Sequence, residues 1–437
     1  MLGYAQPSAV LTQPTFLKYF KTKMLQKWLN HLETLNPDKI NLGLDRIRTV
    51  ADPLKLAIFN CPIITVTGTN GKGSTVALLE CLFLNAGYRV GAYTSPHLFR
   101  FNERIRIQGE PIDDASLCQA FEHIETARGD TYLTYFEFTT LAAFDLFQGA
   151  QLDILILEVG LGGRLDAVNL VDADVAVITT IALDHQEYLG PDRELIGAEK
   201  AGILRELQQV ICGDPHPPHS LLKKAQALNT TFYNLEKNFF YTEKPDHFLF
   251  SFLKQTWQLP IPSIELQNAA TALMAMLCLH DRLPVAEHHI KHALETVFLP
   301  GRFEYLSKNP TIIVDVAHNP AGAAWLTQRL LQEPCEGKTF AIWSMLGDKD
   351  LMGSVEPLIP YIDAWFFAEL EVPRAASLTQ MEHALHKAGA QHINAHTNFK
   401  EAYSAALSFM QHNDKLLAFG SFHTVGAFCN LYRGNCG

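Results

Sequence analysis

A glycine-rich loop between an apolar segment and a helical segment is the feature that most constrains how this chain folds. Residues 64–80 read ITVTGTNGKGSTVALLE, so a β-branched run leads into GTNGKGS and then into residues with helical spacing. Glycines let backbone N–H groups close around an anion, and the N-terminus of the following helix carries partial positive charge. Lys72 adds a charge that can reach a terminal phosphate. The segment therefore predicts a phosphate-binding loop.

The spacing of this loop is irregular. In the standard pattern about four residues separate the first glycine from Gly-Lys-Ser/Thr. Here only two residues lie between Gly68 and Gly71, and Gly73 is inserted between Lys72 and Ser74. An ordinary glycine-rich turn is the alternative. We favour phosphate binding because the lysine and the serine lie between a clear strand and a clear helix.

Short β-branched segments and helical segments alternate along most of the chain, which predicts an α/β fold. The predicted strands cover 63–67, 90–94, 153–159, 175–181, 311–316, 339–345, 364–368 and 416–419, and the predicted helices cover 74–86, 113–127, 138–147, 268–280 and 286–298. Such alternation is typical of mostly parallel sheets covered by helices on both faces. The aromatic, turn-rich segment 232–262 breaks the pattern and predicts a small antiparallel addition.

A hinge is predicted at LPGRFE, residues 299–304, because the alternation stops there and then restarts. The expected division is an N-terminal extension and helix over 1–40, a P-loop-type domain with a mostly parallel sheet over 41–298, and a smaller Rossmann-like α/β domain over 299–437. Apolar residues recur at helical spacing from Leu25 to Leu35. An amphipathic helix is therefore expected to begin near Met24, after a loose extension of about 20 residues.

Charge and cysteine usage exclude several classes of protein. The net charge of −11 and a pI near 5.9 argue against a nucleic-acid binder or a binder of anionic membranes. The eight cysteines show neither a CxxC pair nor Cys/His ligand spacing, so we expect reduced thiols and no zinc site. The sequence predicts neither a signal peptide nor a membrane span. We therefore expect a cytoplasmic protein.

Polar residues follow several predicted strands of the first half. Glu158 ends the strand 153–159, and the Asp184-His185 pair lies just past the strand that is predicted to end at Ile181. The carboxyl ends of parallel strands form the ligand crevice of a sheet, where a carboxylate beside a phosphate loop is a reasonable Mg²⁺ ligand. A turn-capping acid and a structural histidine are the alternatives, and the residues alone leave them open. Lys200 can equally be a solvated helix lysine.

The second half repeats this arrangement. Asp315 and His318 in DVAHNP end a predicted strand, and GDKD at 347–350 and GSFHT at 420–424 also follow strands. Each motif alone is a weak signal because polar residues at strand ends are usual. All three fall on the edge at which an α/β domain binds its ligands.

Nine motifs occur in a characteristic order between about Asn41 and Thr424. They are TVTGTNGKGS, TSPHL, FNERIRI, LTYFEFTTLAAF, LEVGLGGRLDAVN, IALDHQEYLG, EKAGI, LPGRF and DVAHNP. Together they resemble the folylpolyglutamate synthase/dihydrofolate synthase family, a branch of the Mur ligase superfamily. In that family the inserted Gly73 is the usual form of the phosphate loop.

The resemblance implies roles for individual residues. The ATP phosphates would be held by Thr69, Asn70, Gly71, Lys72, Gly73 and Ser74, and the rest of the nucleotide by Asn268, Arg302 and Asp315. The Mg²⁺ ligands would be Ser95, Glu158, His185 and Lys200, with Lys200 carboxylated by CO₂. The pterin substrate would contact Gly43, Leu44, Asp45, Arg46, Thr134, Tyr135, Phe136, Glu137, Leu165, Asp166 and Ala167. His318 and Ser421 would handle glutamate.

The implied reaction joins L-glutamate to a carboxylate that ATP activates as an acyl phosphate, with one or two Mg²⁺ ions. Lys72, Lys200, His318 and Ser421 would be the catalytic residues, and the second domain would be the glutamate-ligase domain. The segments 133–138 and 162–167 resemble bifunctional bacterial enzymes, so both dihydropteroate and tetrahydrofolate are expected as substrates of a monomeric enzyme. An extension-only synthase, a muramyl-peptide ligase and an ATP-binding regulator without catalysis are the alternatives.

Overall fold

The computed structural model describes residues 13–35, 42–333 and 335–435. A mostly parallel sheet forms its first half, with strands β1 Ile63–Thr67, β2 Val90–Tyr93, β3 Ile105–Ile107, β4 Glu110–Pro111, β5 Ile154–Glu158, β6 Val175–Ile178, β7 Gln209–Cys212 and β8 Thr231–Asn234. Their order is β4-β3-β2-β5-β1-β6-β7-β8, and only the pairs β2–β3 and β3–β4 are antiparallel. Every residue of β1, β5 and β6 is buried, which explains their continuous apolar sequences.

Helices cover both faces of this sheet, as the alternation predicts. They are α1 Gln13–Leu35, α2 Asp45–Leu54, α3 Lys72–Asn85, α4 Asp114–Arg128, α5 Tyr135–Gly149, α6 Gln186–Leu189, α7 Arg193–Lys200, α8 His219–Ala227, α9 Leu266–Leu277 and α10 Glu287–Thr296. One core joins the sheet to α4 and α5, and the other joins it to α3, α9 and α10. Side-chain caps fix the starts of α4 and α5, where Asp113 and Thr134 accept from backbone N–H groups.

Strands β9 Phe239–Glu243, β10 Phe248–Phe252 and β11 Gln255–Leu259 form a separate antiparallel sheet, which confirms the predicted addition. The last part of the chain contains β12 Glu304–Lys308, β13 Thr311–Asp315, β14 Thr339–Trp343, β15 Ala364–Phe367, β16 Ile393–Ala395 and β17 Lys415–Phe419, in the order β12-β13-β17-β14-β15-β16. Around them lie α11 Pro320–Leu331, α12 Leu351–Val355, α13 Leu378–Ala388, α14 Phe399–Phe409 and α15 Phe422–Asn435. The α/β fold class with two mostly parallel sheets is therefore confirmed, whereas the domain division at residue 299 stays a prediction.

Several boundary predictions are wrong: the helix predicted over 138–147 is α5 Tyr135–Gly149, the helix predicted over 268–280 is α9 Leu266–Leu277, and two further differences concern α1 and β6. Helix α1 begins at Gln13 rather than near Met24, because a helix satisfies its own backbone hydrogen bonds and its start need not coincide with the start of the apolar pattern. The predicted loose extension otherwise falls on residues 1–12, outside the described residues. Strand β6 ends at Ile178 rather than at Ile181. There the hydroxyls of Thr179 and Thr180 donate to the carbonyl oxygen of Asn70 at 2.6 and 3.2 Å, so the chain leaves the sheet.

The seven described cysteines are free thiols, as expected, and Cys436 lies outside the described residues. Across the described part of the chain, no helix is long and apolar enough to cross a membrane.

Candidate active site

A cavity of about 1350 Å³ opens where strands β1, β2 and β5 end. Its wall includes the glycine-rich loop and also residues from beyond the predicted hinge, among them His318 and Ser421. Lys72, Glu158 and Lys200 line the same cavity. The structure therefore brings together residues that lie far apart in the sequence.

The glycine-rich loop connects β1 directly to α3. Gly71 has a φ of 84°, and a Cβ there would lie 2.1 Å from Asn268 Oδ1, so only glycine fits. The N–H of Thr69 donates to the carbonyl oxygen of Thr180 at 2.7 Å, which fixes the loop against the chain beyond β6. The ammonium of Lys72 donates to the carbonyl oxygens of Gly68 and Thr69 at 3.0 and 3.2 Å, so it lies across the loop at the start of α3. The ammonium of Lys72 and the positive N-terminal end of α3 therefore lie at the same place, where they can bind an anion.

Glu158 is a buried carboxylate beside this loop, with an exposed fraction of 4%. Its Oε2 accepts from the N–H of Ser95 at 3.2 Å, which brings two of the predicted metal ligands into contact. Burial raises the pKa of Glu158, and the positive charge of Lys72 opposes that rise. A Cβ on Gly73 would lie 3.6 Å from Leu299 Cδ2 and 3.9 Å from Glu158 Oε2, so the inserted glycine lies next to the carboxylate.

His185 faces a lysine from the second half of the chain. Lys349 Nζ lies 2.6 Å from Asp184 Oδ1 and 3.2 Å from His185 Nε2. Burial lowers the pKa of His185 to about 4, with Lys349 among the cations that assist, so the imidazole is neutral near pH 7. His318 Nε2 lies 3.7 Å from Asp184 Oδ2, and its Nδ1 donates to the carbonyl oxygen of Val316. Lys349 was missed as a site residue, although GDKD was noted as a strand-end motif.

A reciprocal amide pair joins the phosphate loop to α11. Asn70 Nδ2 donates to Asn319 Oδ1 at 3.1 Å, and Asn319 Nδ2 donates to Asn70 Oδ1 at 2.9 Å. Asn319 Oδ1 also caps α11 by accepting from the N–H of Gly322. Asn319 was missed, although an asparagine before a proline is a helix-start signal that the sequence does contain.

Lys200 ends α7 with only 2% of its surface exposed. Among the described residues its ammonium has neither an ion-pair nor a hydrogen-bond partner, although it lines the cavity. Burial lowers its pKa well below the usual lysine value, and the charge of Lys72 adds to the effect. The alternative of a solvated helix lysine is therefore wrong.

The predicted nucleotide residues are only partly gathered at the cavity. Arg302 lines it, with its guanidinium carbon 5.4 Å from the ring centroid of Phe422. Asn268 and Asp315 are buried and, like Ser74, are not among the described residues that line the cavity. Asp315 accepts from the N–H groups of Phe303 and Ala317 at 2.8 and 2.7 Å, so its carboxylate fixes the backbone around Arg302. Asn268 Oδ1 is a buried acceptor without a partner in the described structure.

Seven of the eleven predicted pterin residues line the cavity, namely Thr134, Tyr135, Phe136, Glu137, Leu165, Asp166 and Ala167. Glu137 Oε2 accepts from Arg46 Nε at 2.8 Å, and its Oε1 is buried without a partner in the described structure. Burial raises the pKa of Asp166 to about 6. Gly43, Leu44, Asp45 and Arg46 are absent from the described lining, so Arg46 acts on the cavity through Glu137.

Ser421 lies at the start of α15, where its Oγ is 2.7 Å from Thr424 Oγ1 and accepts from the N–H of Thr424 at 3.0 Å. It lines the cavity with His318. The two residues predicted to handle glutamate therefore line the same cavity as Lys349.

Comparisons with known proteins agree with this arrangement. Residues 66–279 match the Mur ligase middle domain, and residues 301–422 match the domain described as Mur ligase, glutamate ligase domain. The dihydrofolate synthase/folylpolyglutamate synthase of Escherichia coli is 44% identical over 92% of this chain and 94% of its own length. The Haemophilus influenzae protein of the same name is 41% identical over 93% of this chain and 97% of its own length.

Solved structures give the same result. E. coli FolC in complex with DHPP and ADP superposes with a TM-score of 0.90 at 42% identity, covering 94% of this chain and 98% of that one. A bifunctional folylpolyglutamate synthase/dihydrofolate synthase with Mn, AMPPNP and L-glutamate bound superposes with a TM-score of 0.88 at 42% identity and the same coverage. The phosphate loop, the buried acid at the end of β5 and both matched domains lead to one conclusion: the chain belongs to the dihydrofolate synthase/folylpolyglutamate synthase family of the Mur ligases.

Proposed function

We propose that this protein is an ATP-dependent amide ligase that joins L-glutamate to dihydropteroate and to tetrahydrofolate. The observation that carries the proposal is the meeting of Lys72, Glu158 and Lys200 in one cavity with an aromatic, acid-containing wall at 134–137. Relatives over nearly the whole chain are named for both activities. Two similar structures contain DHPP with ADP, and AMPPNP with Mn and L-glutamate.

The proposed chemistry solves a problem of leaving groups. A carboxylate resists attack by an amine because an oxide ion would have to leave. Transfer of the ATP γ-phosphoryl group to the carboxylate oxygen gives an acyl phosphate and ADP. The amine of glutamate then attacks the acyl carbon, phosphate leaves with the C–O electron pair, and the amine loses a proton to form the amide. Lys72 stabilises the negative charge that gathers as carboxylate and phosphate approach each other.

The residues fit a divalent cation that is held partly by phosphate oxygens. Among the described residues, no three His, Cys, Asp or Glu side chains are arranged to hold a metal. Mg²⁺ however commonly takes only one or two carboxylates and completes its shell with phosphate oxygens and water. Glu158 is a buried acid without an ion-pair partner in the described structure, and Ser95 adjoins it. A bound cation would neutralise charge on the phosphates, and His185 and Lys200 would complete its environment.

Carboxylation of Lys200 is part of this proposal. A neutral amine adds to CO₂ and loses a proton, which gives a carbamate anion. Burial, with the charge of Lys72 in addition, lowers the pKa of Lys200 against the opposing effect of Asp184 and Asp166, and so favours the neutral amine. An anionic side chain would also suit a place beside Lys72 and a divalent cation better than an ammonium would.

Glutamate is proposed to enter from the wall that contains His318 and Ser421. This wall belongs to the chain beyond the predicted hinge and contacts the phosphate loop through the Asn70–Asn319 pair. Closure of the second domain over ATP would then deliver the amine to the acyl phosphate. The domain bounds 1–40, 41–298 and 299–437, a monomeric state and a cytoplasmic location stay predictions.

A phosphate-release assay with glutamate and three separate acceptors tests the function. We expect ATP-dependent release with dihydropteroate and with tetrahydrofolate, but none with a muramyl nucleotide. Release with tetrahydrofolate alone would indicate an extension-only synthase. Release with the muramyl nucleotide alone, or with no acceptor, would overturn the proposal.

Replacing Glu158 with glutamine is expected to raise the Mg²⁺ concentration needed for half-maximal rate and to lower turnover by about 10²-fold, because a neutral amide is a weak ligand for a hard cation. Titration of Mn²⁺ into the nucleotide complex, followed by electron paramagnetic resonance, measures cation binding apart from activity. Glu187→Gln is the matched control, since Glu187 is exposed on α6. Unchanged Mn²⁺ affinity in Glu158→Gln would remove Glu158 from the metal site.

A further inference from the structure

Arg104 lines the cavity as a cation that has no carboxylate partner in the described structure. Its Nε donates to His97 Nδ1 at 2.9 Å. Its guanidinium carbon lies 5.3 Å from the ring centroid of Phe101 and 5.9 Å from that of Tyr135. The guanidinium therefore lies beside two aromatic rings and makes a single side-chain hydrogen bond, while its two terminal nitrogens have no acceptor among the described residues.

Other arginines at the cavity have acids to balance them. Arg106 donates to Glu80 through Nε and Nη2, the latter at 2.7 Å, and Arg374 lies 3.5 Å from Asp348. Arg302 is buried, and the negative charges of Asp315, Glu158 and Glu265 stabilise its charged form. The acid next to Arg104 in sequence is engaged elsewhere, because Glu103 accepts from the N–H groups of residues 98–100. No described acid therefore occupies the terminal donors of Arg104, and they are available to the anion of a ligand.

The partner of Arg104 within the chain is a neutral group. Because Arg104 Nε donates to His97 Nδ1 at 2.9 Å, that ring nitrogen is an acceptor and carries no proton, so His97 is an uncharged imidazole in this contact. It orients the guanidinium without cancelling its charge. A planar fork of N–H donors in this state matches a carboxylate in geometry and in sign.

The location of Arg104 narrows the choice of anion. Tyr135, which it faces, begins α5 beside Phe136 on the predicted pterin wall. His97, which it contacts, follows Ser95 by two residues, and Ser95 contacts Glu158 at the phosphate end. An acceptor with its ring at the aromatic wall and its reacting carboxylate near Lys72 would therefore present its middle section to Arg104.

The two proposed acceptors differ in this middle section. Dihydropteroate ends in one carboxylate, which must react. Tetrahydrofolate carries a glutamyl group with two carboxylates, of which one reacts and the other remains as a spectator. We propose that Arg104, oriented by His97, binds the spectator carboxylate of folyl-glutamate acceptors, that is, the α-carboxylate when the γ-carboxylate is extended. This inference rests on the proposed function and assigns a specificity subsite within it.

The assignment is tested by a double-mutant-type cycle, in which Arg104 of the protein and the α-carboxylate of the acceptor are removed separately and then together. The acceptors are tetrahydrofolate, tetrahydropteroyl-γ-aminobutyrate, which lacks the α-carboxylate, and dihydropteroate. For the native protein, loss of the α-carboxylate should lower kcat/KM by about 10- to 100-fold, mostly through KM, as expected for a charged hydrogen-bonded contact. In Arg104→Gln the same loss should change kcat/KM less than about 3-fold, because the contact is already gone.

Arg100→Gln is the matched control, because Arg100 lies on the same segment but is exposed and paired with Asp114. It should behave as the native protein with all three acceptors. If Arg104→Gln loses activity equally with dihydropteroate and tetrahydrofolate, Arg104 acts on the reacting carboxylate or on the fold, and the subsite is overturned. An α-carboxylate effect that persists in Arg104→Gln also overturns it. If the native protein uses neither dihydropteroate nor tetrahydrofolate, the proposed function itself fails. If it uses both, but the effect of removing the α-carboxylate is the same with and without Arg104, only the subsite is refuted.

Discussion

Lys72→Ala is expected to lower the rate of ATP-dependent ligation by about 10²–10³-fold, corresponding to about 2.7–4 kcal/mol of lost transition-state stabilisation. The ammonium of Lys72 lies at the start of α3, where the loop opens onto the cavity beside Glu158. Charge on the transferred phosphoryl group and on the attacking carboxylate would gather at this point. Steady-state phosphate release with saturating glutamate measures the loss.

The fold should survive this substitution. Gly71 sets the loop conformation by its positive φ and its close approach to Asn268, and neither depends on the lysine. The two carbonyl groups that lose the ammonium belong to Gly68 and Thr69, which line the cavity, so water can replace it. Equal melting temperatures for the variant and the native protein would show this.

Nucleotide binding adds a second measurement for Lys72. If Lys72 acts on the terminal phosphate, the variant should lose more affinity for ATP than for ADP. Lys223→Ala, at an exposed position of α8, is the control and should leave both affinities unchanged. Near-normal turnover in Lys72→Ala would remove the loop lysine from the proposed mechanism.

Lys200→Ala is expected to be inactive, with partial recovery in the presence of acetate. The side chain is buried and lines the cavity, so its removal leaves a space that a small carboxylate can enter. If the native side chain is a carbamate, acetate replaces its anionic end and an added amine does not. Rates measured over a range of acetate concentrations, with chloride as the control salt, test the recovery.

The carbamate itself can be observed without an activity assay. Native protein equilibrated with ¹³C-bicarbonate should show a carbamate carbon resonance that is absent from Lys200→Met. Because burial lowers the pKa of Lys200, the neutral amine and hence the carbamate are favoured as pH rises, and both are lost as the amine protonates at lower pH. Stripping bicarbonate at mildly acidic pH should therefore reduce activity. An unmodified Lys200 in an active enzyme, or a nearly silent Lys200→Ala, would contradict the proposal.

Much of the fold could be predicted from short stretches of the sequence. Buried parallel strands must be apolar on both faces, so β1, β5 and β6 appear as short β-branched runs that can be located without a structure. The phosphate loop was equally readable, because a tight strand-to-helix turn around an anion requires glycines at fixed places. Glu158 could be placed at a strand end for the same reason, although its lack of an ion-pair partner could not be predicted.

The contacts that complete the site could not be predicted locally. Asn70 and Asn319 are 249 residues apart, and Lys349 is 164 residues from His185. Each is an ordinary polar residue after a strand, and the residues next to it in the sequence do not indicate which distant side chain it contacts. Arg104 is similar, since its lack of an acidic partner depends on where Glu103 and Glu80 point.

The sequence by itself determined the α/β class, the two mostly parallel sheets and the phosphate loop, because hydrophobic periodicity and glycine geometry act over a few residues. Only the tertiary structure decided that Lys200 is buried rather than solvated, that Asp315 accepts hydrogen bonds from the backbone next to Arg302, and that Lys349 faces His185. Burial and charge pairing depend on side chains that meet only after distant segments have folded together, as Lys349 and His185 do, and this is a property of the whole chain.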